Sequence, residues 1–217
     1  MIELLNCDCM EYMATVPDKY FDLAIVDPPY GIGFDGESEG MANNSSKKWK
    51  NAKGNGYKRK EWDSATPEKE YFDELKRISK EQIIWGGNYF DLPQSTGWVF
   101  WDKGVADGMT LSAGELAWTS FKKNVKKVSL LWAGFRRCED VKRIHPTQKP
   151  VALYEWLLTN YAKKGQKVFD SHLGSASSAI AAHYFGVDFV GCELDKDYFE
   201  AAKARFDMAT KQLAMSI

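Results

Sequence analysis

Asp27-Pro28-Pro29-Tyr30 carries the most specific chemical potential in the chain. It follows the apolar run Leu23-Ala24-Ile25-Val26, which reads as a buried strand delivering a rigid loop. Two successive prolines cannot continue a sheet and hold the backbone in an extended turn. That turn sets a carboxylate beside an aromatic ring. A planar base with an exocyclic amine needs both groups, one to stack on its face and one to accept its amine hydrogens. Asp27 would accept one hydrogen and the Pro28 carbonyl another, directing the nitrogen lone pair outward. An ordinary strand-ending turn could hold the same four residues, and a tetrapeptide alone does not separate the two.

A second constellation lies near the other end of the chain. Val168-Phe169-Asp170 reads as a strand ending in an acid, followed by a turn through Ser171, His172, Leu173, Gly174 and Ser175 and then an Ala-rich helix. A strand, a Gly-containing turn and a helix N-terminus begin a Rossmann-like half, and the small residues at 174–178 let a ligand approach the backbone. Glu193 closes a further strand about 20 residues on, where an acid can bond ribose hydroxyls. The chain has neither a complete Gly-x-Gly-x-x-Gly nor a Gly-Lys-Thr phosphate loop, which points to a nucleoside cofactor without a pyrophosphate.

The rest of the chain must position these two sites. Its 217 residues, 44% hydrophobic, suffice for one substantial core and leave little room for a second domain, so a single domain over 1–217 is expected. The net charge of −1 means that a nucleic-acid partner would be held by a local patch. No run of about 18 apolar residues occurs and the N-terminus does not read as a signal peptide, so no membrane partner and a cytoplasmic location are expected. Cys7, Cys9, Cys138 and Cys192 lack zinc spacing, as do the three histidines, and no metal is expected.

Strand-like runs over 23–27, 82–85, 98–101, 129–132, 167–170 and 189–193 alternate with helical patterns over 67–79, 150–162, 175–185 and 198–215. This is the pattern of an α/β fold with a mostly parallel sheet. The segment from Gly31 to Trp62 breaks it, being rich in Gly, Asn, Ser and Lys. Lys47, Lys48, Lys50, Lys58, Arg59 and Lys60 interleave there with Trp49, Tyr57 and Trp62, a mixture that suits phosphates and bases. A flexible basic loop over 31–62 that contacts nucleic acid is the expectation.

Together these motifs resemble the amino-directed DNA methyltransferases that use S-adenosylmethionine, in the class whose catalytic motif precedes its cofactor motif. Asp27–Tyr30 matches the family tetrapeptide in its adenine-associated form, and Asn6-Cys7-Asp8-Cys9 matches the N-terminal acidic motif. Ile84-Trp85-Gly86-Gly87-Asn88 matches the strand after the catalytic one, and His145-Pro146-Thr147-Gln148-Lys149-Pro150 matches the lead into the helix before the cofactor motif.

The resemblance implies a Rossmann-like methyltransferase sheet of seven strands with helices on both faces and a circularly permuted motif order. It also implies that Asp170, His172, Gly174 and Ser175 surround the methionine part of S-adenosylmethionine. Glu193 would hold the ribose, Asp8 and Cys9 would lie near the adenine ring, and Thr147 and Lys149 near the carboxylate end. The usual family turn reads Asp-Pro-Phe-x-Gly-Ser-Gly, whereas Ser171, His172 and Ala176 stand here. The flat His172 ring can still stack on a cofactor. Residues 102–143 occupy the place of a short target-recognition segment, so recognition is either loose or shared with a second subunit, as in a homodimer.

The implied activity is methyl transfer to the exocyclic amine of adenine in DNA. Cytosine-N4 methylation on the same scaffold is the nearest alternative. A non-catalytic nucleic-acid-binding module that retains the fold is the alternative from another class. The Pro-Cys nucleophile of ring-carbon methylation is absent.

Overall fold

The computed structural model describes residues 1–33, 60–106, 112–133, 136–139, 141 and 143–211. Strand β1 (Ile2–Asn6) leads into helix α1 (Cys9–Thr15), and β2 (Phe21–Val26) ends at the proline pair. Helix α2 (Lys69–Ile78) passes directly into β3 (Ser79–Trp85), followed by β4 (Trp98–Asp102), β5 (Gly114–Thr119) and β6 (Lys126–Ser129). A small antiparallel ribbon of β7 (Trp132–Ala133) and β8 (Arg136–Arg137) precedes α3 (Val151–Tyr161). Then come β9 (Lys167–Asp170), α4 (Ser177–Phe185), β10 (Asp188–Glu193) and α5 (Lys196–Lys211).

Eight strands form one sheet in the order β1-β10-β9-β2-β3-β5-β4-β6. All its pairings are parallel except those of β5, which runs antiparallel to both β3 and β4. The resemblance implied seven strands; the edge of β4 also takes β6 as a parallel neighbour. The strand order runs outward in both directions from the β9–β2 pair, whose register sets Leu23 against Val168 and Ala24 against Phe169. Ligands of open α/β sheets bind outside the carboxyl ends of the strands at such a switch point. Asp27 and Asp170, distant in sequence, therefore sit at adjacent strand ends.

The residues of β2 explain why it lies centrally. Phe21, Leu23, Ala24, Ile25 and Val26 are all buried, as a strand covered on both faces requires. Leu23 and Ile25 pack toward Leu153, Leu157 and Ala179 of α3 and α4. Ala24 and Val26 face Met13, Phe72 and Leu75 of α1 and α2. Alternation of successive side chains across the sheet produces these two layers. The buried Tyr71, Phe72, Leu75 and Ile78 of α2 recur at helical spacing, which makes that helix a cover for one face.

The expected strand over 129–132 does not form as one piece. The chain leaves β6 at Ser129, and Leu130 and Trp132 donate their N–H groups to the carbonyls of Asp102 and Lys103. Within 102–143, β5 and β6 are built into the main sheet. Among the described residues no helix is long and apolar enough to cross a membrane.

Candidate active site and cofactor cavity

The tetrapeptide leaves the carboxyl end of β2 and is tied down on several sides. The N–H groups of Tyr30 and Gly31 donate to Asp63 Oδ1 at 2.7 and 2.8 Å, and Asp63 is buried. The Tyr30 hydroxyl donates to Asp27 Oδ1 at 2.6 Å, and Lys149 Nζ donates to Asp27 Oδ2 at 2.5 Å. The Tyr30 ring stacks on Tyr89 at 5.0 Å between centroids and lies against Gly86. A Cβ at Gly86 would fall 2.2 Å from that ring, and the residue's φ of +68° also favours glycine. Gly86 therefore seats the tyrosine, while Gly87 lets the turn close on Trp118.

Behind the tetrapeptide runs a buried row of alternating charges. Lys149 Nζ lies between Asp27 and Glu115, whose Oε2 is 3.1 Å away, and Lys103 holds Glu115 Oε1. Burial works against charge on both groups, but pairing outweighs it. The Lys149 ammonium is held above its ordinary range by Asp27 and Glu115, and the Glu115 carboxyl is brought to about 2 by Lys149 and Lys103.

A cavity of about 880 Å³ opens beside these groups, with Asp27, Pro29 and Lys149 on its wall. Its floor is the turn after β9. Glu193 clamps that turn, accepting from Gly174 N–H at 2.8 Å through Oε2 and from Asp195 N–H at 3.0 Å through Oε1. Arg205 of α5 supports it from behind, donating to the Ser175 carbonyl at 2.6 Å and to Ser177 Oγ at 2.8 Å. On another wall, Asp8 caps α1 by accepting from Met10 N–H at 2.7 Å. Tyr71, Ser171 and His172 form a chain, with Oη to Oγ at 2.6 Å and Oγ to Nδ1 at 2.8 Å. Burial pushes His172 down to about 4, so the ring is neutral at physiological pH and offers a flat apolar face.

The structure places most of the sequence-selected cofactor residues on this one cavity: Asp8, Cys9, His172, Gly174, Ser175, Glu193, Thr147 and Lys149 all line it. Asp170 does not. Its carboxylate lies behind the turn, taking His172 N–H at 3.0 Å and Ser178 Oγ–H at 2.6 Å, so it shapes the turn from beneath. Lys149 also reaches the Asp27–Tyr30 loop, where it donates to Asp27. Lys60 also departs from its expected place. Its ammonium is paired with Asp195 at 2.6 Å and Asp197 at 2.7 Å, beside the cavity and over the Tyr198 ring. Lys47, Lys48, Lys50, Lys58 and Arg59 lie outside the described residues. Asp63, Glu115 and Arg205 had no signal in the sequence, since each acts through a long-range contact.

Asp170 makes one pH effect testable. Burial pushes its carboxyl up to about 7 from an ordinary 3.8. As pH rises through that window the unfolded chain ionises first, so the folded state loses stability from this group. In Asp170→Asn the amide keeps an acceptor for His172 N–H and a donor for Ser178 Oγ, without the titration. The melting temperature of Asp170→Asn relative to wild type should rise by at least about 3 °C between acid and neutral pH, at 2–4 °C per kcal/mol for a chain of this size. A difference that stays flat across the range would show that Asp170 does not keep its proton in the folded protein.

The sheet order, with a cavity at its switch point, defines a Rossmann-like α/β fold. A DNA methylase family model matches residues 96–204, and the chain belongs to that N6/N4 DNA methylase family. YubD of Escherichia coli (strain K12), named as a candidate methylase, is 24% identical over 240 residues, spanning 99% of this chain and 93% of YubD. The fold is shared with M1.HpyAVI, solved as a complex with SAM, at a TM-score of 0.57 and 20% identity, covering 94% of this chain and 100% of that one. It is shared too with the cytosine-N4-specific PvuII DNA methyltransferase, at a TM-score of 0.61 and 12% identity, covering 97% and 90%.

Proposed function

We propose that the protein transfers a methyl group from S-adenosylmethionine to the exocyclic amine of adenine in DNA. The observation that carries this reading is the placement of Asp27 and Pro29 on the wall of the cavity that Glu193 and the Gly174 turn floor. Amine acceptor and cofactor site thus share one space. A cavity of about 880 Å³ suits a nucleoside joined to an amino acid, falling within the roughly 300–1,000 Å³ of small-molecule sites. Gly174 sits in a left-handed turn where an added Cβ would meet nothing nearer than the His145 ring at 3.8 Å, so the backbone is open to a ligand. Glu193 and Asp8 offer acceptors to hydroxyl and amino groups, and His172 offers a stacking face.

When bound, S-adenosylmethionine supplies an activated methyl group on its sulfonium. The chain's own work is positioning and electrostatics. Asp27 accepts a hydrogen bond from the target amine, turns its lone pair toward the cavity and is the nearest base for the one proton that the amine loses. Tyr30 gives the extruded base a stacking surface worth about 1–3 kcal/mol, against an unstacking cost of a few kcal/mol. The basic stretch up to Lys60, together with those parts of 102–143 that lie outside the sheet, would meet the DNA in a single methyltransferase domain.

The test is to incubate the protein with DNA and labelled cofactor and to identify the modified nucleoside by mass spectrometry. N6-methyladenine is expected. N4-methylcytosine would move the substrate to the other amine with every residue role intact. No transfer despite calorimetric binding of DNA would make the chain a binding module.

A further inference from the structure

Lys149 holds a position that the reaction described above leaves unexplained. Its side chain is 4% exposed and sits between two carboxylates at the catalytic loop. The two contacts are not equivalent. The contact to Asp27 Oδ2 is the short, directed hydrogen bond at 2.5 Å, whereas the buried Glu115 Oε2 lies farther off, 3.1 Å from Nζ. The other Glu115 oxygen is held by Lys103, so the carboxylate is fixed with one acceptor oxygen to spare.

The arrangement raises a difficulty for substrate binding. Tyr30 Oη donates to Asp27 Oδ1 and Lys149 to Oδ2, so the target amine meets a carboxylate whose two oxygens each already accept one hydrogen bond, one of them from an ammonium. A lone pair is still open on each oxygen, but an acceptor already bonded to an ammonium holds a neutral amine less tightly and is a poorer base for its proton. Driving the ammonium off with nowhere to go would leave a buried charge unpaired. Glu115 Oε2 removes that obstacle, since it is ionised and next to the ammonium. Three N–H groups on Nζ let the lysine change acceptors without changing protonation.

We propose that Lys149 is a two-position latch. Its ammonium holds Asp27 until the target amine docks, then turns its hydrogen bond onto Glu115 Oε2 and frees Asp27 Oδ2. Glu115 is then a positioning residue, brought to the site by β5, where it pairs with Trp101 of β4. The latch rests on the reading that Asp27 accepts the target amine. It would also keep the acceptor covered until a base arrives.

The test compares wild type, Glu115→Gln and the double variant Glu115→Gln/Lys149→Met in single-turnover methylation of DNA, with cofactor affinity measured by calorimetry. Without the Glu115 charge the ammonium stays on Asp27, so Glu115→Gln should be slower by about 10–100-fold with cofactor affinity within about threefold. Removing the lysine as well should then restore at least about tenfold of the lost rate, since the acceptor is uncovered. A double variant no faster than Glu115→Gln overturns the latch.

A second measurement needs no substitution at Glu115. The Lys149 ¹⁵Nζ resonance, assigned by its loss in Lys149→Met, should shift when adenine-containing DNA and S-adenosylhomocysteine are added together. A resonance that does not move also overturns the latch. No methylated nucleoside from wild type would sink the methyltransferase reading and the latch with it, whereas an active wild type with an unrescued double variant sinks the latch alone.

Discussion

Asp27→Asn should lower the single-turnover rate of methyl transfer by about 10²–10³-fold, the scale for losing one preorganised group at a reacting centre. The substitution keeps the side-chain volume, so the loop anchored by Asp63 through the Tyr30 and Gly31 N–H groups should stay in place. What changes is the acceptor. The amide has one acceptor oxygen where the carboxylate has two, and Tyr30 and Lys149 already draw on that side chain. It is also too weak a base for the proton that leaves the amine. Cofactor affinity should remain within about threefold of wild type, because the Gly174–Glu193 clamp is untouched. A folded Asp27→Asn protein that transfers methyl groups within about threefold of the wild-type rate would remove Asp27 from the mechanism.

Glu193→Ala should weaken S-adenosylmethionine binding by about 1–3 kcal/mol, roughly 5- to 150-fold, the cost of losing hydrogen bonds to a charged group. The geometry gives two routes to that loss. The carboxylate lines the cavity, and it also clamps the turn by accepting from Gly174 and Asp195 N–H. Burial pushes this carboxyl upward, and the two N–H groups act against that by favouring its charged form. Glu193→Gln keeps one oxygen acceptor and should fall between alanine and wild type. Amide hydrogen exchange at Gly174 separates the two routes. It should speed up in Glu193→Ala if the clamp matters and stay unchanged if only a direct contact is lost. Dissociation constants equal to wild type would assign the ribose to another acid.

The α/β class, the mostly parallel sheet and the strands ending at Val26, Trp85 and Asp170 were legible because each is a local signal. A buried central strand writes itself as an unbroken apolar run, as Leu23–Val26 does within β2. Elements with weaker patterns were not legible. Ile2–Asn6 lies at a sheet edge and is only partly buried, and Gly114–Thr119 opens with Gly-Glu before its buried half. Their strand character comes from pairing with β10 and with β3 and β4.

The sequence by itself determined which residues could do chemistry here. The Asp27–Tyr30 turn, the Ser171–Ser175 turn and the acid at Glu193 are each a short contiguous stretch, in which strand, breaker and side chain are fixed by neighbours along the chain. Only the tertiary structure decided how those pieces act on one another. It set Lys149 on Asp27, brought Glu115 alongside from an antiparallel strand, put Asp63 under the catalytic loop, and drew Lys60 to Asp195. The reason is physical: a buried ion pair depends on which strands lie side by side and on what else shares the desolvated space, and no local pattern of residue types records that.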